Sequence, residues 1–139
     1  MATQSTARGN ILVDPELKNV TVRGEQRQIC EFRIMSDFWI ENAAGEREQD
    51  ATRTHPVQVT VWGESLAKQC FEVLRKGMRV EVKGNTHPHI YRFSDAERAG
   101  GKNDIYELRM AAEDVTLCLN RVAAIQMRQR QDAPATTDA

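Results

Sequence analysis

The stretch VTVWGESLAKQCFEVLRKGMRVEVKG, residues 59–84, changes hydrophobic period twice, and any fold for the chain has to accommodate both changes. Val57, Val59 and Val61 alternate with Gln58, Thr60 and Trp62, the mark of a strand with one buried face. From Glu64 the period becomes helical, with Leu66, Ala67, Cys70, Val73 and Leu74 on one stripe. Glu64 stands in the first turn, Arg75 and Lys76 in the last, and Gly77 is placed to cap the C-terminus, so the spacing predicts a helix over 64–76. Val80 and Val82 then alternate with Arg79, Glu81 and Lys83, and Gly84 permits a bend or bulge.

Around this segment the pattern is mostly strand. Cys30, Phe32 and Ile34 share one face against Glu31 and Arg33. "SDFWIENAAGEREQDATRT" has no sustained period and reads as a long loop or irregular hairpin, a length often tied to function in small domains. "NTHPHIYRF" continues extended, "SDAERAGGKND" turns the chain at Gly100-Gly101, and a long last strand follows. Within it Tyr106, Leu108 and Met110 share one parity but Val115, Leu117 and Leu119 the other, which requires a bulge or break at "AAED". A short apolar run at Ile11–Val13 is stopped by a turn at Asp14-Pro15. About five strands, with one helix between the third and fourth, fit an all-β, five-stranded Greek-key barrel of the OB type. Its ligand face is strands two and three with the flanking loops.

With 139 residues there is room for one domain plus loose ends. Residues 1–8 are expected to be flexible, 9–120 to form the barrel, and 121–139 to form a short helix or a disordered tail. Charged residues are 28% of the chain, yet the net charge is −1, so a basic footprint for a polyanion has to be local. Cys30, Cys70 and Cys118 form no C-x-x-C pair and point to buried thiols in a reducing compartment. No apolar run reaches the roughly 18 residues of a bilayer span, and "MATQSTARGN" lacks the apolar core of a secretory signal. The expectation is a cytoplasmic protein with no membrane partner.

Large aromatic side chains ordinarily go to the core, and Phe32 and Tyr106 are in phase to do so. Trp62 shares the parity of Gln58 and Thr60, opposite to the three valines, so it is expected on the outer face. Tyr91 shares parity with His87, His89 and Phe93, and Trp39 lies in the long loop where no core face is offered to it. Three aromatics off the core, interleaved with Arg33, Arg53, Arg79, Lys83 and Arg92, have the composition of a base-stacking platform beside a basic track. The same residue types also make protein-interaction hot spots, so an adaptor role stays open.

"DPELK", the 59–84 segment and "IYELRMAAEDVTL" resemble, in that order, the bacterial single-stranded DNA-binding protein family. That resemblance covers roughly residues 9–119. It implies an OB-fold that binds single-stranded DNA without sequence preference, protecting it in replication, recombination or repair. It also implies a homo-oligomer, dimer or tetramer, with replication or recombination proteins as partners and a place at the nucleoid. On this resemblance Trp39, Trp62 and Tyr91 fall on stacking positions, and Lys76 on the lysine that closes the helix. Arg33, Arg53, Lys76, Arg79, Lys83 and Arg92 are the candidate phosphate contacts.

The chain departs from the family pattern at several places. His55-Pro56 replaces a further aromatic, Glu64 replaces a basic residue after the Trp-Gly pair, and "HPHI" replaces a basic run. These changes remove stacking area and positive charge, so binding weaker or more salt-sensitive than usual is expected. "ATQSTARG" replaces an apolar first strand that often pairs subunits, and "QDAPATTDA" carries neither an acidic tip nor a terminal phenylalanine. Both point to a specialised or mobile-element relative.

His87 and His89 point the same way on a strand, but no third ligand accompanies them, so no metal site is expected. No phosphate-binding G-x-x-x-x-G-K-[ST], H-E-x-x-H or catalytic triad spacing occurs. The chain is expected to be no enzyme and to carry no cofactor.

Overall fold

The computed structural model describes residues 3–37, 39–50 and 54–129, without the side chains of Trp39, Ile105 and Tyr106. Its strands are β1 (Thr3–Ile11), β2 (Glu16–Val22), β3 (Glu25–Ser36), β4 (Trp39–Glu41), β5 (Arg47–Gln49), β6 (His55–Val61), β7 (Arg79–Tyr91) and β8 (Ile105–Leu117). Two helices join them, α1 (Glu64–Val73) between β6 and β7, and α2 (Asp95–Ala99) between β7 and β8. The main sheet runs β1-β7-β8-β6-β3-β2, and a further pairing of β1 with β3 closes it into a barrel. All its pairings are antiparallel except β6 with β8. With β1 and β2 as the two halves of one bent first strand, this is the expected five-stranded OB barrel.

The core follows the alternation. Cys30, Phe32 and Ile34 of β3, Val57, Val59 and Val61 of β6, and Val80 and Val82 of β7 are buried with Met110 and Ala112 of β8. Ala67, Cys70 and Leu74 of the α1 segment close one end. Helix α1 ends earlier than its apolar stripe predicts. Arg75 donates from Nη1 to the carbonyls of Phe71 and Leu74 at 2.8 and 2.7 Å, taking up acceptors that a further turn would use. Leu74 is already extended, Val73 is exposed, and Gly77 (φ +92°) serves the turn into β7 rather than the helix cap.

The first residues form a strand, contrary to expectation. Thr3 to Asn10 pair with Thr86 to Arg79 of β7, and Gly9 to Ile11 pair with Ser36 to Ile34 of β3. Backbone hydrogen bonding needs no apolar side chain, and this edge of the barrel is otherwise open. Gly9 is required there, because a Cβ would run into the carbonyl of Met35. In the tail, of the two alternatives expected, the described part forms no helix. After a turn at Asn120-Arg121, residues 122–129 are irregular rather than helical, and Arg128 reaches Glu72 of α1 at 2.8 Å. Residues 130–139 lie outside the described residues.

The anticipated slip in the last strand is a bulge. Lys83 faces Asp114 but Gly84 faces Ala112, so Glu113 is the extra residue. Gly84 fits only without a side chain, since a Cβ would meet the Ala111 carbonyl oxygen. Gly84→Ala is expected to lower stability by about 1–3 kcal/mol in urea denaturation, the usual range for overpacking, whereas Gly63→Ala, with open space around it, should change it far less.

Burial drives the thiols of Cys30 and Cys70 up to about 12 and about 11. Both stay protonated at neutral pH and are poor nucleophiles. Cys118 is partly exposed. Native protein at pH 8 should therefore titrate with one equivalent of a disulfide reagent, and unfolded protein with three.

Candidate nucleic-acid interface

The outer face of the barrel is built by the residues that alternate against the core. Strand register places Arg33 beside Gln58, Gln58 beside Arg109, and Arg109 beside His87, so the four form one row across β3, β6, β8 and β7. One pair further along, Glu107 faces His89. Trp62 follows the end of β6 on this parity and is 37% exposed; Tyr91 ends β7 on the same face and is 43% exposed. The alternation predicted both positions, and the aromatics flank a charged centre.

That centre is tightly wired. Arg33 donates from Nε to Gln58 at 3.2 Å and from Nη2 to Glu107 Oε1 at 2.7 Å. Arg109 donates from Nη2 to the Tyr91 hydroxyl at 2.6 Å, with its guanidinium 5.5 Å from the ring centroid. His89 meets the same ring edge-on, 4.7 Å between centroids. These contacts fix the tyrosine while leaving much of it in solvent, which suits a stacking surface. Between Glu31, Arg33, Gln58, Thr60, Tyr91, Glu107 and Arg109 lies an open cleft of 260 Å³.

The other candidates are spread more widely. Arg92 is exposed immediately after Tyr91. Lys83 is exposed beside Asp114. Arg79 stands twelve residues from Tyr91 along β7, roughly 40 Å of extended chain. Its guanidinium grips Asp37 with two hydrogen bonds of 3.0 Å, and these raise its pKa. Asp37 opens the segment that carries the β4–β5 hairpin, so Arg79 anchors the base of that arm. Lys76 is exposed after α1, where its backbone N–H donates to Asp14 at 2.8 Å. Trp39 begins β4, paired with Gln49, and Gly45 (φ +81°) turns the hairpin; its side chain, like all of Arg53, lies outside the described residues.

Sequence reasoning missed Arg109, Glu107 and Gln58. Their parity was legible, opposite to Leu108, Met110 and the valines. What was not legible is that β8 lies parallel to β6, which brings Arg109 to Gln58. Among the described residues no group of three or more His, Cys, Asp or Glu side chains is gathered as a metal site would need.

Known proteins resemble this chain in sequence and in fold. The model of the single-strand binding protein family matches residues 3–118. The chain belongs to that family. Its members are non-enzymatic DNA-binding proteins. Among solved structures, the small single-stranded DNA-binding protein from Streptomyces coelicolor superposes with a TM-score of 0.67 at 15% identity, covering 86% of this chain and 97% of that one. The Plasmodium falciparum SSB in complex with ssDNA gives 0.57 at 18% identity, covering 85% and 95%. At such identities the likeness establishes the fold.

Within this family member the basic residues divide into structural and free ones. Arg79→Gln should lower stability by about 1–3 kcal/mol, the range for losing charged hydrogen bonds. Lys83→Gln should leave the urea midpoint nearly unchanged. A midpoint for Arg79→Gln equal to the parent's would show that the Asp37 contact contributes nothing.

Proposed function

We propose that the protein binds single-stranded DNA without sequence preference, stacking bases on Trp62 and Tyr91 and, from the hairpin arm, on Trp39. The observation that carries this reading is the pair of exposed aromatics flanking the Arg33–Gln58–Arg109 row on one outer face, in a chain of the single-strand binding protein family. Stacking accepts any base because every base has a π-face. Arg33, Arg92, Arg53 and Lys83, with Arg109 added, are the phosphate contacts. Lys76 and Arg79 serve only a strand that continues around the barrel.

Membership of the family supports a biological setting for this activity. The protein would cover exposed strands in the cytoplasm during replication, recombination or repair, for a mobile element or the chromosome, as a dimer or tetramer with replication or recombination proteins recruited to it. Light scattering reads the subunit number. The departures noted above argue for weak binding, but with a correction in kind. Fewer free cations mean fewer counterions released, so the salt dependence should be shallow rather than steep.

Titration with oligo(dT), followed by tryptophan fluorescence at several salt concentrations, tests the reading. Strong quenching is expected, with log K falling by about 0.7 per unit of log salt for each phosphate neutralised. Trp62→Ala and Tyr91→Ala should each weaken binding by about 1–3 kcal/mol. An unchanged signal at low salt would sink the proposal and favour the adaptor reading, in which Trp62→Ala abolishes capture of a protein partner instead.

A further inference from the structure

We propose that Glu107 is an internal counter-anion that holds Arg33 and Arg109 on the stacking face and competes with DNA phosphate for them. The inference rests on the single-stranded DNA reading and assigns a role to a residue that stacks nothing and carries the wrong charge for a phosphate contact.

Glu107 is only 8% exposed although it lies on the outer face. Its two oxygens are treated differently. Oε1 accepts from Arg33 at 2.7 Å, whereas Oε2 is buried with no hydrogen-bond partner, the nearest cation being Arg109 Nη2 at 3.8 Å. Arg109 Nε is also buried without an acceptor. An ion pair that served stability alone would be expected to satisfy these atoms, because buried polar groups left unbonded are costly. Here a carboxylate oxygen and a guanidinium N–H remain unbonded in the same cluster.

The exposures set the direction of approach. The side chains of Arg33 and Arg109 are 43% and 34% exposed, with the carboxylate sunk between them. An anion arriving at the cleft meets two guanidinium forks backed by Glu107; the second carboxylate in the lining, Glu31, is paired with Lys18 at 2.6 Å. Arg109 is the fork held less firmly to Glu107; its Nη2 is tethered to the Tyr91 hydroxyl at 2.6 Å, so it can exchange the long carboxylate contact for a phosphate oxygen while staying on the face. Arg33 keeps Gln58 as a second tether, so it stays in place while phosphate binds. Guanidinium geometry suits either partner, carboxylate or phosphate. The competition lowers affinity in proportion to the charge that Glu107 contributes.

Glu107→Gln removes the charge and retains the shape and the acceptor for Arg33. Against wild type at low salt, its affinity should rise by about tenfold, the scale of one unit charge several ångströms away at a partly wet site. The rise should be the same for oligo(dT) and oligo(dC), and the slope against log salt should steepen by about 0.7. Weaker binding would mean that the carboxylate only positions the arginines. A change confined to oligo(dC) would mean that it reads base amino groups. Unchanged affinity and slope would leave a structural ion pair. Each of these three results overturns the proposal.

If the variant fails to fold, the arginine Nε–H resonances of the wild-type protein decide. Arg109 should shift on addition of oligo(dT), and an Arg109 signal that stays fixed while tryptophan fluorescence is quenched overturns the proposal. Quenching of the wild type reports on DNA binding itself, so failure of that reading is distinguishable from failure of this one.

Discussion

One extra residue in β8 decides which side chains of this protein meet solvent. Because Glu113 has no counterpart on β7, Leu108, Met110 and Ala112 point inward on one side of the bulge, and Val115 and Leu117 do so on the other. Without the slip, one half of the strand would turn its apolar residues outward, or else Glu107 and Arg109 would be driven into the core. The bulge needs a partner strand that approaches closely, and Gly84 supplies it by presenting no Cβ to Ala111. The charged centre of the outer face therefore depends on a packing feature at some distance from it. A barrel curved at this point satisfies the core and the face together.

Closure of the barrel rests on a different economy. β1 contributes little to the core beyond Ile11 and the partly buried Ala7, yet it bridges β7 and β3. Its hold is the backbone ladder, tightened where Ile11 exchanges hydrogen bonds with Gly77 and Met78 across the turn that follows α1. This is why residues 1–8 read as loose: small polar side chains carry no period, and the requirement for a strand comes from the unpaired edges of β3 and β7. The β2–β3 hairpin was hidden for a related reason. Its two-residue turn puts Arg23 at φ +52° before Gly24 at φ +81°, a mirror-image turn that Asn-Gly would have announced and Arg-Gly does not.

The candidate face was legible to the extent that strand alternation is a local property. Trp62 and Tyr91 stood out because each broke parity with aliphatic neighbours, and the structure places both on the outer surface. Charged residues carry no such contrast, since they are expected outside wherever they occur. Arg33, Arg79 and Lys83 thus looked equivalent in the sequence. In the fold they have three different situations: Arg33 tied to Glu107 and Gln58, Arg79 clamped on Asp37, Lys83 exposed. Only cross-strand register separates them, and register between β6 and β8 is set by a parallel pairing of strands distant in the chain.

This wiring accounts for how a chain of net charge −1 can offer a polyanion a binding face at all. Arg8 with Glu81, Lys18 with Glu31, and Arg79 with Asp37 cancel locally. The first two are largely exposed and add little to stability, whereas the more buried Arg79–Asp37 pair holds the hairpin arm; all three remove cations from the count available to phosphate. What remains near Trp62 and Tyr91 is Arg33 and Arg109 sharing Glu107, with Arg92 exposed beside Tyr91, a small local excess of positive charge. Under that constraint, on the proposed reading, electrostatics would supply orientation and a modest attraction, and aromatic surface would supply most of the binding free energy. The proposed tolerance of sequence would come from the same feature, because stacking is the term that does not distinguish one base from another.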